Sequence, residues 1–348
     1  MRRSSDPILG WDVGGANIKA ARIGDGGRPA SAVVERPFPL WREPHRLPVV
    51  LSEVADRIGN ARTMALTMTA ELADCFATKR EGVAFVIDAF RTAFPASALW
   101  IYGVDGQFRS ADAAKEQPHL VAAANWMASA TLVAATFPDA LLVDVGSTTT
   151  DIIPIVAGRV VARGRTDSSR LRTGELVYTG SLRTPVCATV RSMPLGGGRC
   201  RVAAEHFAVA ADVHRWLGRI EDADYTCDTP DGRGRSRLEA GARLARVICA
   251  DLETLGPAGV TAIAEHVARA QVQQIERGIR QVMRRLGTVC PGVAVLAGAG
   301  TFVGRAAAEA AGLTTRDLSH EVGTAAARSA PAAAVAYLLS EFVVREGA

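Results

Sequence analysis

The chain has 348 residues, 48% of them hydrophobic and 22% charged. That is long enough for two lobes and apolar enough to bury a core, which excludes general disorder and a single small module. Forty Lys and Arg against 36 Asp and Glu leave a net charge of +4, too weak to argue for a nucleic-acid partner or a membrane surface. No run of 18 apolar residues occurs, and Asp12 cuts the apolar stretch behind Arg2 and Arg3 before an export signal can form. A cytoplasmic protein is the expectation.

In chain order, residues 8–11 and 18–23 read as strands around a glycine turn, 24–27 as another turn and 32–35 as a third strand. A proline-marked loop leads to a helix at 47–58. Strand 63–69, helix 80–94 and strand 99–104 follow, then an Ala-rich helical stretch at 118–135. Residues 140–143 form an apolar strand ending at Asp144, with a second strand at 152–156, a turn at Gly158-Arg159 and a third strand at 160–163. This repeats the opening device, and the two Asp residues lie 132 positions apart (144 − 12). Residues 166–234 read as irregular, 237–255 and 258–286 as long helices, 292–296 as a buried strand, and 303–311 and 331–344 as helices. Alternating strands and helices predict an α/β fold with mixed sheets. The lobes are expected at 1–137, with helix 331–344 packing back on it, and at 138–330, with an irregular insertion at about 166–236.

Three segments carry chemistry. In Asp12-Val13-Gly14-Gly15-Ala16-Asn17-Ile18-Lys19, the glycines let backbone N–H groups approach a phosphate oxygen closely. Asp12 can hold a hydrated Mg²⁺, an ion that takes one or two carboxylates plus substrate phosphates, and Lys19 adds a point charge. Taken alone, the segment reads more readily as an ordinary Asp-Gly hairpin. The second, Asp144-Val145-Gly146-Ser147-Thr148-Thr149-Thr150-Asp151, puts hydroxyls after a strand-end Asp, although a Thr run is also normal in a strand. Two such hairpins facing each other across a cleft would clamp one polyphosphate and one metal. The third, Ala297-Gly298-Ala299-Gly300-Thr301, is a strand-to-helix turn whose helix N-terminus favours an anion.

That ordered trio resembles the phosphate-1, phosphate-2 and adenosine motifs of the acetate and sugar kinase/Hsp70/actin superfamily, over essentially the whole chain. The resemblance implies a two-lobed actin-like ATPase (ribonuclease H-like) fold with a central cleft. Glu71-Leu72-Ala73-Asp74 with Lys79-Arg80-Glu81-Gly82-Val83 is similar to the hydantoinase/oxoprolinase A-type branch. So are 174–180 with Arg183-Thr184-Pro185, and 229–237. The compact length resembles the tetrahydromethanopterin-linked C1-transfer proteins, and among them the condensing enzymes of methanofuran biosynthesis. These imply an Mg²⁺-dependent transferase that joins an aminomethylfuran-methyl diphosphate to the phenol of a glutamylated tyramine or tyrosine, releasing diphosphate. Small molecules would then be the partners.

Carried onto this chain, the resemblance assigns Asp12 and Asp144 to the metal, with Asp144 also a candidate base. Gly14, Gly15, Asn17, Lys19, Gly146, Ser147 and Thr148 go to the diphosphate, and Gly298 and Gly300 line the place where other members hold adenosine. Ala16 stands where many sugar kinases have a hydroxyl, which counts against ATP. An ATP-dependent kinase or hydantoinase-like enzyme stays the alternative, and a nucleotide sensor without turnover is a third. Glu175, Tyr178, Thr179, Arg183 and Thr184 could touch the acceptor or form a loop beneath the cleft. Arg233, Arg235 and Arg237 could pair with carboxylates, but a solvated loop is favoured. Trp126 could stack on a furan or phenol, with core packing the simpler reading. The scattered His and six Cys form no soft-metal site or disulfide framework; Cys227 and Cys249 read as buried thiols. A homodimer stays open, because helix 331–344 can pack within the chain or on a partner.

Overall fold

A computed structural model describes residues 7–24 and 30–346. The expected turn at 24–27 therefore falls, from residue 25 on, outside the described residues. The chain forms two compact units. One takes the residues up to Leu142, Ile153–Arg172 and those from Arg316 on; the other takes Val143–Ile152 and Thr173–Thr315.

The first unit opens with β1 (Ile8–Val13), β2 (Asn17–Ile23) and β3 (Ala32–Pro37), then α1 (Leu47–Ile58), β4 (Thr63–Met68) and α2 (Lys79–Ala93). β5 (Ala98–Tyr102), β6 (Phe108–Ser110), α3 (Ala111–Glu116) and α4 (Asn125–Ala134) complete its first segment. The sheet order is β3-β2-β1-β4-β5-β6, with β1 antiparallel to β2 and parallel to β4. The alternation of β1 sends Leu9, Trp11 and Val13 into an apolar core with α1 and α2. Trp11 meets Phe90 edge-on at 5.4 Å. The opposite face, at Gly10, is covered by the last helix, α13 below. A Cβ on Gly10 would lie 2.6 Å from the Ala336 nitrogen, so strand and helix touch backbone to backbone. That close approach explains the Ala-rich sequence of the helix, where Ala332, Ala334 and Ala336 are fully buried.

The next strands are β7 (Ala140–Val145), β8 (Thr150–Val156) and β9 (Arg159–Val160). The turn between β8 and β9 is Ala157-Gly158, both with positive φ (49° and 71°). It sits one residue before the expected Gly158-Arg159 turn, and the third strand is two residues long.

The stretch expected to be irregular is instead built of short elements: α5 (Asp167–Thr173), β10 (Leu176–Val177), α6 (Val186–Thr189), the hairpin β11 (Ser192–Leu195) and β12 (Gly198–Arg201), and α7 (Ala210–Trp216). α8 (Arg237–Arg246) stops nine residues short of the expected 255, because Cys249 takes a left-handed φ of 57°. Cys249 is exposed, against the expectation of a buried thiol. α9 (Leu252–Leu286) kinks at Gly256. β13 (Val293–Ala297), α10 (Thr301–Ala310), β14 (Thr314–Asp317), α11 (Ser319–Val322), α12 (Thr324–Arg328) and α13 (Ala330–Glu346) end the chain. The second large sheet runs β10-β8-β7-β13-β14, with β9 on β8. Among the described residues, no helix is long and apolar enough to cross a membrane.

Candidate functional site

The first hairpin turns at residues 14–16, where the Gly14 N–H donates to the Asn17 carbonyl at 2.9 Å. Asp12 is 8% exposed at the end of β1. In the ladders it lies between Lys19 on β2 and Thr67 on β4, so these three side chains form one row on the face that α13 covers. The Lys19 ammonium donates to the Arg328 carbonyl at 3.2 Å. The turn is held from outside: Leu40 N–H donates to the Gly15 carbonyl and Phe38 N–H to that of Ala16, both at 2.9 Å.

The second hairpin repeats this geometry 132 residues on. Gly146 N–H donates to the Thr149 carbonyl at 2.9 Å, and Asp144 is 9% exposed. Val13 and Val145 correspond as well. The Val13 carbonyl accepts from the Thr69 and Ala70 N–H groups just past β4, and the Val145 carbonyl accepts from the Gly300 N–H past β13. A Cβ on Gly298, whose φ is +83°, would collide with the Val145 carbonyl oxygen and Asp144 Oδ1. On Gly300 it would collide with the Val145 side chain. These two glycines therefore seat the β13–α10 turn against Asp144. At Gly15 and Gly146, by contrast, a Cβ meets nothing closer than 4.0 and 3.5 Å, so packing within the chain does not demand a bare backbone there.

Residues 62–342 match the hydantoinase/oxoprolinase family. The chain belongs to that family. A curated relative in Methanocaldococcus jannaschii, named (4-{4-[2-(gamma-L-glutamylamino)ethyl]phenoxymethyl}furan-2-yl)methanamine synthase, is 39% identical over 280 residues, covering 80% of this chain and 82% of that protein. A protein of the same name in Methanococcus vannielii is 37% identical over 147 residues, 42% of this chain and 66% of that one. Among solved structures, nucleotide-free acetone carboxylase superposes with a TM-score of 0.58 at 10% identity, covering 94% of this chain and 70% of that one; that likeness speaks for the fold alone. The fold is α/β and actin-like.

Within this hydantoinase/oxoprolinase chain, the signature at 174–185 splits in two. Glu175 is fully buried, 2.6 Å from the Arg285 guanidinium, and accepts from the Thr173 hydroxyl at 2.8 Å. It is an internal ion pair, closed to an acceptor. Thr179 and Thr184 are buried too and bond to each other at 3.4 Å. Only Tyr178, 68% exposed, stands open. Arg183 is half-buried, and its backbone N–H donates to the Ser147 carbonyl at 2.8 Å. The Ser147 and Thr148 hydroxyls lie 3.4 Å apart. Trp126 does not offer a stacking surface: it is 1% exposed and the Arg170 guanidinium covers its ring at 4.6 Å.

The family signature at 229–237 is structural. Asp231 accepts from Arg243 and Arg246, each at 3.0 Å. Arg237 donates to the Trp216 carbonyl and lies over that ring at 4.7 Å, and Arg235 lies over Tyr225. Burial pushes the Cys227 thiol up to about 11, so it stays protonated.

The structure adds two candidates that the motifs left without a role. Glu71, 1% exposed just past β4, has Oε1 3.3 Å from the Lys79 ammonium, which lies 3.8 Å from Asp167. Burial pushes its carboxyl up, opposed by the Lys79 charge. A Glu three residues past a buried strand was the available signal. Asp151, 7% exposed on β8, occupies the repeat position of Lys19, and the 132-residue offset identifies it.

Proposed function

We propose that this chain is an ether-forming transferase of furan-cofactor biosynthesis, acting on an aminomethylfuran-methyl diphosphate and the phenol of a γ-glutamyl-tyramine. The carrying observation is the 39% identity over 80% of the chain to a synthase whose name describes that product: a phenol oxygen bonded to a furan methylene carbon. The phenol oxygen forms a bond to the exocyclic carbon, the bond from that carbon to diphosphate breaks, and its electron pair leaves with diphosphate. The phenol proton passes to a base.

The second hairpin suits the leaving group. Its turn exposes backbone where a Cβ would meet nothing closer than 3.5 Å, and Ser147 and Thr148 bring hydroxyls that donate to phosphate oxygens. Mg²⁺ fits strand-end carboxylates such as Asp144 and Asp12, 9% and 8% exposed beside half-buried turns. A hard ion that keeps its waters asks for only one or two carboxylates. Asp144, in its glycine cradle, is the residue we assign to it on the second hairpin, and Asp12 is the corresponding carboxylate of the first. Held there, an ion would supply positive charge against that developing on the departing diphosphate. Gly14, Gly15 and Asn17 are assigned to phosphate on the first hairpin. Lys19, held by the Arg328 carbonyl, acts as a charge beside Asp12. We place the protein in the cytoplasm, in keeping with six free thiols.

The test is product analysis. With Mg²⁺, the furan diphosphate and γ-glutamyl-tyramine, one diphosphate is expected per ether formed, and Asp144→Asn should lower kcat/KM by about 100-fold or more. ADP from ATP with the same acceptor, and no ether, overturns the reading.

A further inference from the structure

Behind the second hairpin lies a buried polar network that the reaction as written does not use. Gly180 sits so close to the turn that a Cβ would collide with the Thr148 nitrogen and the Ser147 carbonyl carbon. The three residues after it reach around the turn. Ser181 N–H donates to the Gly146 carbonyl at 2.9 Å, and Leu182 and Arg183 N–H donate to the Ser147 carbonyl at 3.1 and 2.8 Å. In a trans peptide the carbonyl and the next N–H point in opposite directions. Fixing the Gly146 and Ser147 carbonyls therefore aims the Ser147 and Thr148 N–H groups away from this brace, as a pair of donors with set directions.

The brace is itself held from behind. Thr150 Oγ1 donates to the Thr179 carbonyl at 2.7 Å, and Gly180 N–H donates to Thr184 Oγ1 at 2.8 Å. Gln271, 2% exposed on α9, donates through Nε2 to the Gly180 carbonyl at 2.7 Å and to Thr179 Oγ1 at 3.0 Å. Its Oε1 lies 2.9 Å from His214 Nε2. The His214 ring is fully buried, and its Nδ1 has no hydrogen-bond partner among the described residues. The one proton of a neutral imidazole is then on Nε2, donating to Gln271 Oε1. The opposite amide orientation would set Oε1 against the Gly180 carbonyl, two acceptors face to face. Burial pushes His214 down to about 4, so the ring stays neutral near pH 7.

We propose that Gln271 is a positioning residue for diphosphate, holding the brace at residues 179–183 so that the Ser147 and Thr148 amides face the leaving group, and that His214 fixes the orientation of the Gln271 carboxamide. This rests on the diphosphate reading of the second hairpin.

Two measurements test it: titration with inorganic diphosphate and Mg²⁺, and separate KM values for the furan diphosphate and the phenol. Gln271→Glu keeps the shape and the acceptor for His214 but replaces two amide donors with one hydroxyl when protonated and with none when ionised. It should raise the diphosphate Kd and the furan diphosphate KM about tenfold, with the phenol KM unchanged. His214→Leu removes the orienting donor and should move the same two constants in the same direction by a smaller factor. His214→Gln restores an N–H near the Nε2 position and should recover most of the loss; it also keeps the test open if Gln271→Glu does not fold. Lowered thermal stability with unchanged diphosphate Kd and KM in these variants overturns the proposal. Failure of the unaltered protein to bind diphosphate would sink the functional reading instead.

Discussion

In the first unit the turn carbonyls of Gly15 and Ala16 accept from Leu40 and Phe38, whose side chains are sealed in the same apolar core as Trp11 and Val13. In the second unit the turn carbonyls of Gly146 and Ser147 accept from residues 181–183, which Thr184, Gln271 and His214 hold through hydrogen bonds. Both turns are half-buried, follow a fully buried strand and close with the same backbone bond, although the strand after the turn alternates in burial in the first hairpin and is buried almost throughout in the second. The means of holding the turns differ. Apolar packing is non-directional and tolerates small shifts, whereas a buried hydrogen-bond network fixes orientation and fails when one partner is lost. The second hairpin is therefore the one whose donors should be aimed most sharply. It is also the one that carries hydroxyls at Ser147 and Thr148, where the first has Gly15 and Ala16.

The largest break in this comparison should come from Gly180→Ala. The added Cβ presses on the backbone of Ser147 and Thr148 rather than on a yielding side-chain tip, so the turn itself must move. The furan diphosphate KM is expected to rise by about 100-fold, the scale of losing an aligned charge-stabilising donor, while Gly146→Ala, with its nearest neighbour at 3.5 Å, keeps the fold intact. Equal KM values for Gly180→Ala and the unaltered protein would mean that the brace does not set the turn.

Leu40→Ala probes the other side. Leu40 is fully buried, and its truncation should cost about 2–5 kcal/mol in a denaturant titration. Because the Leu40 backbone N–H stays in place and its support is non-directional, both KM values are expected to change by less than about threefold. A large KM change with little loss of stability would erase the distinction between the two hairpins.

Much of this site was legible in the sequence because its determinants are local. Asp12 and Asp144 each close a strand before a small-residue turn, and one offset of 132 aligns every position of the two turns, down to the Gly14–Asn17 and Gly146–Thr149 hydrogen bonds. What holds the turns was not legible. Gln271 is 92 positions from Thr179, and His214 is 57 from Gln271; no short-range pattern links them. Core packing, the simpler reading of Trp126, holds, but the Arg170 guanidinium over its ring comes from 44 positions away (170 − 126) and no local pattern announces it. The end of α8 depends on a left-handed cysteine, a conformation that carries no sequence signal for a non-glycine residue. The hairpin β11–β12 is different, since Gly196-Gly197, with φ of 58° and 80°, is the residue pair such a turn asks for.

The smallest expected effect sharpens the comparison through pH. His214 titrates near 6.5 in an unfolded chain and is held down to about 4 when folded, chiefly by burial, with the Arg219 charge adding to it. A histidine whose folded value is depressed contributes its full stability above about pH 6.5 and loses it as pH falls toward 4, because the unfolded chain takes up a proton that the folded one refuses. Between pH 7.5 and pH 5.5 this single group should remove about 1 kcal/mol of stability. His214 lies in the second unit, so this loss belongs there. Denaturant titrations at the two pH values should show a gap that shrinks by about that amount in His214→Leu. An unchanged gap in the variant would mean that acid sensitivity arises elsewhere, and that the polar support of the second hairpin is no more vulnerable to acid than the apolar support of the first.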